Sequence, residues 1–317
     1  MSWRTRFEHL ALSACLLACG GRAQRDALAT SDAGAGASED ASSEAGTETG
    51  AGAAFVDVAC GERSACALRS NGDAVCWGDA FGQSPPQGPF TAIAAGGGYA
   101  CALSKEGAIE CWGAGFPALP DGAYSAVSGE LNGLVCGLQL DGSAVCRLTY
   151  PGAGSPVVTL PGSFTELAPG EDDACGLTES GSAVCVNTTG TPDPGWQDAP
   201  PGVALEHLAC GANFCCGVES SAAKIVCWGD DTPNGERDAP DGTFTSISAS
   251  EVWPCAEREN GTIACWGKGW NAPSNNLPTG SFGKFCVGYA FGCGVRANGT
   301  LSCWGYDNAG VTEPPAP

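Results

Sequence analysis

The cysteines are the residues of this chain whose spacing most directly indicates a chemistry. The chain has 20 cysteines in 317 residues, and most of them fall into pairs about ten positions apart. The pairs are Cys66/Cys76, Cys101/Cys111, Cys136/Cys146, Cys175/Cys185, Cys216/Cys227, Cys255/Cys265 and Cys293/Cys303. Zinc sites bring cysteines together in Cys-x-x-Cys spacing, which this sequence lacks. We therefore expect disulfides, no metal site, and folding in an oxidising compartment.

Hairpin geometry supports the bridge in each pair. In the first pair the turn is Ser70-Asn71-Gly72, and a three-residue loop with Gly72 in the left-handed region sets Arg69 opposite Asp73. Counting back along both strands places Cys66 opposite Cys76 on a non-hydrogen-bonded pair, where Cα atoms lie about 4.5 Å apart. A disulfide spans that distance. The pair Cys216/Cys227 is one residue longer, and a four-residue turn from 220 to 223 keeps the two opposite each other.

Four further cysteines of residues 55–317 lie outside these pairs. Cys60 and Cys286 occur at matching places in the first and last repeat units described below, so we expect a Cys60–Cys286 bond if the units close into a ring. A local Cys210–Cys215 bond would use the remaining two. The alternative is that some of these four are free, buried thiols.

Residues for acid–base or nucleophilic catalysis are scarce. The chain has two histidines, and His9 lies in the predicted signal segment, which leaves His207 alone. We therefore expect no histidine-based triad and no histidine-rich metal site. Carboxylates are the remaining candidates: Glu62, Glu130, Glu251 and the run 171–173 fall at similar places in different units. A hydrolase or lyase using two carboxylates stays open as an alternative. We expect solvated loop acids, no catalytic residue and no cofactor, and therefore a protein that is not an enzyme.

The elements that position these residues repeat seven times. Units of about 38 residues start at Phe55, Phe90, Tyr124, Phe164, Ala204, Phe244 and Phe282. A repeat of this length is typical of solenoids, arrays and propellers. Each unit opens with an alternating run such as 90–96, which predicts a strand lying near an axis because small residues follow it. Two more strands carry the cysteine pair, and a Pro/Gly-rich stretch leaves room for a poor fourth strand at most.

The recurrent string Cys-Ala-Leu-x-x-x-Gly-x-x-x-Cys-Trp-Gly resembles the repeat of the regulator of chromosome condensation family, in its bacterial secreted, cysteine-rich branch. The match extends over all seven units, about 83% of the chain. The resemblance implies an all-β, seven-bladed β-propeller with one disulfide per blade. The tryptophan becomes Arg147 and Val186 in units three and four, so we expect different packing between those blades.

The loop between the first and second strands is the predicted binding face, because its residues diverge while the frame repeats. Large rings occur there, with acids beside them: Tyr99, Phe214, Trp253, Tyr289, Phe291, Glu130, Asp173 and Glu251. Exposed rings on a rigid frame are how interface hot spots are built. The alternative is that each ring folds back as packing over the channel mouth.

The first 54 residues predict export. Arg4 and Arg6 precede a short apolar run, and residues 16–19 resemble a bacterial lipobox, which implies a signal peptide at 1–18 and acylation of Cys19. An ordinary signal peptide cut elsewhere is the alternative. Residues 19–54 then form a disordered Ala/Gly/Ser/Asp/Glu tether, and residues 55–317 form the propeller. We expect a lipid anchor at a bacterial outer membrane or cell surface as the protein's one membrane contact.

The charge of the propeller limits its partners. Residues 55–317 contain 28 acids and 10 bases, a net charge of −18, which disfavours nucleic acid. The leading prediction is a surface-tethered, monomeric scaffold that binds a protein or glycan partner through one propeller face. A structural surface protein without a tight ligand is a further alternative beside the enzyme.

Overall fold

The chain divides into residues 1–48 and a compact unit, 49–317. The computed structural model describes residues 52–79, 84–114, 118–148, 157–188, 199–230, 234–267, 276–307 and 309–317. The predicted signal peptide, Cys19 and almost all of the predicted tether lie outside the described residues. In the described part there is no helix long and apolar enough to cross a membrane.

Within these described ranges, twenty-two strands form seven antiparallel sheets, one per repeat unit. The first strands are β1 (Phe55–Cys60), β4 (Phe90–Ala95), β7 (Tyr124–Gly129), β11 (Glu166–Pro169), β14 (Leu205–Cys210), β17 (Phe244–Ala249) and β20 (Phe282–Val287). The second strands are β2 (Ser64–Arg69), β5 (Tyr99–Ser104), β8 (Leu134–Gln139), β12 (Asp173–Leu177), β15 (Phe214–Glu219), β18 (Pro254–Arg258) and β21 (Phe291–Arg296). The third strands are β3 (Ala74–Gly78), β6 (Ile109–Gly113), β9 (Ala144–Leu148), β13 (Ala183–Asn187), β16 (Ile225–Gly229), β19 (Ile263–Cys265) and β22 (Leu301–Gly305). Among the described residues, only the third blade has a fourth strand, β10 (Val157–Leu160).

The seven sheets are arranged as a closed ring. Each first strand contacts the first strand of the next blade, and β20 contacts β1. The first strands line a central channel, as their small residues predict. The fold is therefore the expected all-β, seven-bladed β-propeller with a disulfide in every blade.

Backbone hydrogen bonds join successive blades. The N–H of Phe90 donates to the carbonyl of the turn residue Gly72 in the preceding blade, and Phe55 donates in the same way to Gly299, which joins the last blade to the first. The same bond places the start of the fifth unit at Leu205 rather than at Ala204. Ala223 holds the turn position in that unit and has a φ of 54°, the left-handed conformation that glycine supplies elsewhere.

Nine disulfides are present among the described residues. They are Cys60–Cys286, Cys66–Cys76, Cys101–Cys111, Cys136–Cys146, Cys175–Cys185, Cys210–Cys215, Cys216–Cys227, Cys255–Cys265 and Cys293–Cys303. Cys66 pairs with Cys76 in the strand register, with Cα atoms 4.0 Å apart. Eight of the bonds lie within a blade, and Cys60–Cys286 joins the first blade to the last.

The core consists of layers between neighbouring blades. Trp304 of the seventh blade is 2% exposed and packs with Trp253 and Cys255 of the sixth, and Trp112, Trp228 and Trp266 occupy the same position elsewhere. Where Val186 replaces the tryptophan in the fourth blade, Leu148 and Leu160 of the third blade fill the layer between the third and fourth blades. A large ring at this position buries much area, which explains its recurrence.

Candidate functional site

The loops between first and second strands gather at one end of the channel, which we call the loop mouth. Its loops are residues 61–63, 96–98, 130–133, 170–172, 211–213, 250–253 and 288–290. Successive loops pack closely: a Cβ added to Gly61 would lie 2.5 Å from the carbonyl oxygen of Gly96, and one added to Gly211 would lie 2.5 Å from that of Ser250. Glycine is used where this approach leaves no room for a side chain.

Four of the five predicted binding rings are buried, so the prediction that they are exposed is wrong. Tyr99, Phe214, Trp253 and Phe291 are between 1% and 3% exposed. The rings of Tyr99, Phe214 and Phe291 turn under the loops because the glycine three residues earlier leaves space there, as Gly211 does for Phe214. Only Tyr289 is exposed, at 44%.

Tyr99 shows what such a ring does. Its hydroxyl donates to the carbonyl oxygens of Glu130 and Leu134 in the next blade, at 3.1 and 2.9 Å, and accepts from the N–H of Glu130. This side chain therefore fixes the third blade's loop to the second blade. The Tyr99 ring therefore packs inside the fold, which is the alternative that the sequence left open.

Glu130 is the most unusual group of the loop mouth. The residue is 5% exposed, and its Oε2 accepts a hydrogen bond of 2.6 Å from the N–H of Asn132. Its Oε1 is buried and has no hydrogen-bond partner among the described residues. The pKa of this carboxyl is raised to about 8, chiefly by burial, and the charges of Glu171 and Glu251 add to the rise.

Glu130 thus shares one electrostatic environment with acids from two other blades. The pKa of Glu171 is also raised, first by burial and then by the charges of Asp172 and Glu251. Glu171 lies on the fourth blade and Glu251 on the sixth, so carboxyls of three blades act on one another at the loop mouth. Unlike Glu130, the other three acids are partly exposed. Such a group of carboxylates favours a cationic ligand.

Asp173 does not belong to this surface, contrary to the prediction. It is 0% exposed, because it starts β12 beneath the loop rather than on it. Its carboxylate lies beside the sulfurs of Cys175 and Cys215, and with Cys185 these atoms fall within 4.8 Å of one another. All three cysteines are in disulfides, so they have no thiolate to offer a metal.

The opposite end of the channel contains ionisable groups that sequence reasoning did not single out. His207 Nδ1 lies 3.4 Å from Glu166 Oε2, and Glu166 Oε1 accepts a 2.9 Å hydrogen bond from the N–H of Leu208. The bond to Glu166 is the main cause that raises the pKa of His207, and burial opposes it. The sequence signal for these groups was the third residue of each unit. These residues form one group only when the first strands are placed around one axis.

Comparisons with known proteins agree with this architecture. Residues 55–83 match the family model described as regulator of chromosome condensation (RCC1) repeat. No curated protein matches the sequence. Together with the fold, the family match confirms the resemblance to the RCC1-type repeat.

Solved structures of two proteins share the fold. The CRINKLY WD40 ectodomain of the Arabidopsis thaliana receptor kinase ACR4 superposes with a TM-score of 0.68 at 21% identity, covering 81% of this chain and 96% of its own. Yeast RCC1 (Prp20) bound by Kap60 gives 0.55 at 16% identity, covering 72% of each chain. Prp20p from Saccharomyces cerevisiae, in a study of its binding to Gsp1p and histones, gives 0.54 at 17%, covering 71% and 74%.

Proposed function

We propose that the propeller is a binding scaffold that docks a basic segment of a protein partner at its loop mouth. The observation that carries the proposal is Glu130, a buried carboxylate with one oxygen unpaired among the described residues and acids of two other blades beside it. Burial raises the pKa of this carboxyl to about 8, so its ionisation at neutral pH is costly, and a cation that reaches it recovers that cost. The net charge of −18 in residues 55–317 steers basic partners toward the domain.

The known propellers support this proposal at the level of the fold. Yeast Prp20 is bound by Kap60, and the ACR4 domain is the ectodomain of a receptor kinase. A shared fold alone does not imply a shared function, so the proposal rests on the residues of the loop mouth. Beside the acids, the exposed ring of Tyr289 offers a face on which an arginine side chain stacks.

The test compares two charge-matched variants. Glu130→Gln/Glu171→Gln/Glu251→Gln removes the acids of the mouth, and Glu106→Gln/Glu110→Gln/Glu179→Gln removes three exposed acids on the hairpins. A fluorescein-labelled nona-arginine peptide is titrated by anisotropy at about 150 mM salt. We expect the mouth variant to lose at least tenfold more affinity than the hairpin variant. Equal losses would mean that net charge alone attracts the peptide, and would overturn the docking site.

A carboxylate-dependent hydrolase or lyase at the channel mouth is the second candidate. It is favoured by the contrast between Glu130, whose pKa of about 8 keeps it protonated at neutral pH, and the more exposed acid Glu171 beside it. Such a pair supplies a general acid and a base. Glu130→Gln would abolish any turnover found on a panel of glycoside and ester substrates, and a rate that Glu130→Gln leaves intact would exclude this site.

Tethering to a cell surface is part of the same proposal. Nine disulfides agree with folding in an oxidising compartment, and Cys19 follows a lipobox-like segment. We expect a metabolically incorporated palmitate analogue to label the full chain, and Cys19→Ala to lose the label and release the protein from the membrane fraction. Labelling that survives Cys19→Ala would refute acylation at this residue.

A further inference from the structure

The third residues of the units, counted from Leu205 in the fifth unit, form a ring at the channel end away from the loop mouth, which we call the opposite mouth. These residues are Asp57, Ala92, Ala126, Glu166, His207, Ser246 and Lys284. Five of them, on consecutive blades from the fourth around to the first, are polar. The two alanines on the other side leave space. The ring is therefore a one-sided arc of donors and acceptors.

The acceptors of this arc are already used within the protein. Glu166 receives the N–H of Leu208 on one oxygen and faces His207 with the other. Asp57 receives the N–H of Val58 at 2.9 Å and that of Ile93 at 3.4 Å. Burial raises the pKa of Asp57, and the charge of Lys284 opposes the rise.

The donors of the arc keep N–H groups that no bond within the described ranges uses. His207 places Nδ1 toward Glu166, which leaves its Nε2 without a partner there. Lys284 is exposed, and its ammonium group has no hydrogen-bond or ion-pair partner within the described ranges. Because Lys284 influences the pKa of both Asp57 and His207, its charge lies within reach of both.

Lys284 differs from the other lysines and arginines of the described residues in its position. Arg69, Arg258 and Arg296 stack on phenylalanine rings, Arg63 pairs with Asp79, and Arg147 and Arg237 donate to backbone carbonyls. Lys105 and Lys224 lie beside hairpin turns. In the described part of the chain, Lys284 is thus the one lysine or arginine on a channel-lining strand.

Both donors border a cavity of about 640 Å³. Its walls also carry the hydroxyls of Thr165, Thr245 and Ser246 and the half-buried ring of Phe285. The carboxylates of Glu166 and Glu257 line it as well, and each accepts a backbone N–H, Glu257 that of Phe282 at 2.9 Å. Hydroxyl side chains, a few charged groups and one aromatic wall form the lining that a polyhydroxyl ligand needs for orientation. The two cations provide charge-assisted hydrogen bonds to an acidic group.

We propose that the opposite mouth binds an acidic sugar residue, with its carboxylate between Lys284 and His207 and its hydroxyls against the threonine and serine side chains. The site is separate from the loop mouth and is built from other residues, so it stands or falls independently of the docking proposal. The hydrogen bond to Glu166 raises the pKa of His207, against the opposing effects of burial and of Lys284, while the charge of Glu206 also raises it. Affinity should therefore fall as the pH rises through the pKa of His207.

The test uses the imidazole signals of the full chain, which has two histidines, with His207→Gln assigning those of His207. D-glucuronate is titrated by proton NMR, with D-glucose and acetate as separate arms. We expect a saturable shift of the His207 signals with glucuronate and at least tenfold weaker binding of glucose and of acetate.

Two lysine variants complete the test. Lys284→Gln should weaken glucuronate at least tenfold, whereas Lys224→Gln, an equal loss of charge on a hairpin, should leave the affinity unchanged. Both lysines project from the protein, so neither change disturbs packing. Absence of a His207 shift, equal binding of glucose or acetate, or equal effects of the two lysine variants would each overturn the proposal.

Discussion

Replacing both Cys60 and Cys286 with alanine removes the disulfide that joins the first blade to the last. The bond closes a loop with a sequence separation of 226 residues, against 10 for the in-blade bond Cys101–Cys111. If the bonds act by restricting the unfolded chain, loop-closure entropy gives about 5.4 kcal/mol for the long loop and about 2.7 kcal/mol for the short one. The Cys60→Ala/Cys286→Ala variant should therefore lose about 2.7 kcal/mol more than Cys101→Ala/Cys111→Ala.

Urea denaturation without reductant, followed by tryptophan fluorescence, measures this difference. The dependence on urea supplies a second readout: the unfolded chain of the Cys60→Ala/Cys286→Ala variant is more expanded, so its m-value should rise, while that of the in-blade variant should change little. A Cys60→Ala/Cys286→Ala variant as stable as the in-blade variant would refute the entropic reasoning. Closure would then rest on the contacts of β1 with β20 and on the Phe55–Gly299 hydrogen bond.

Three further predictions concern single residues and use the same denaturation measurement. Trp304→Ala should lower the free energy of unfolding by about 3 to 5 kcal/mol, because it empties the layer between two blades. The control Tyr306→Ala, at an exposed ring, should change it by less than about 0.5 kcal/mol. Similar losses in the two variants would refute the packing role of Trp304. Ala223→Gly should stabilise by about 1 kcal/mol, since it relieves a φ of 54° in a residue with a Cβ, and a loss would contradict this reading of the turn. Because the pKa of Glu130 is raised to about 8 on folding, the folded state holds the extra proton, and stability should fall by up to about 1.4 kcal/mol per pH unit between pH 5 and 8. Glu130→Gln should lack that part of the slope, and an unchanged slope would show that another group is responsible.

The strand pairing was predictable because it is local. The spacing of Cys66 and Cys76 around Gly72 fixes the hairpin register within eleven residues, and the structure has that register. The repeat also identified β1 and β20 as equivalent strands, from which their contact follows once the ring is closed.

The exposure of the loop rings was not predictable, because it depends on contacts between blades. Gly211 and the sixth blade's loop decide whether the ring of Phe214 projects into solvent or folds under the loop. The sequence around Phe214 would be the same in both cases. The exposed Tyr289 lies in the seventh blade's loop, and the buried Phe291 starts β21 two positions later. Residue type does not account for the difference, since Tyr99 is a tyrosine and is buried.

The sequence by itself determined the number of blades, the strand register and the pairing of cysteines opposite each other, because these follow from periodicity and short-range geometry. Only the tertiary structure decided which side chains face the channel. It buried Glu130 beside acids that lie 41 and 121 positions further along the chain, and it placed His207 across from Lys284. Closing seven blades around one axis brings equivalent positions together, and the charge and burial of each then depend on neighbours that are remote in sequence.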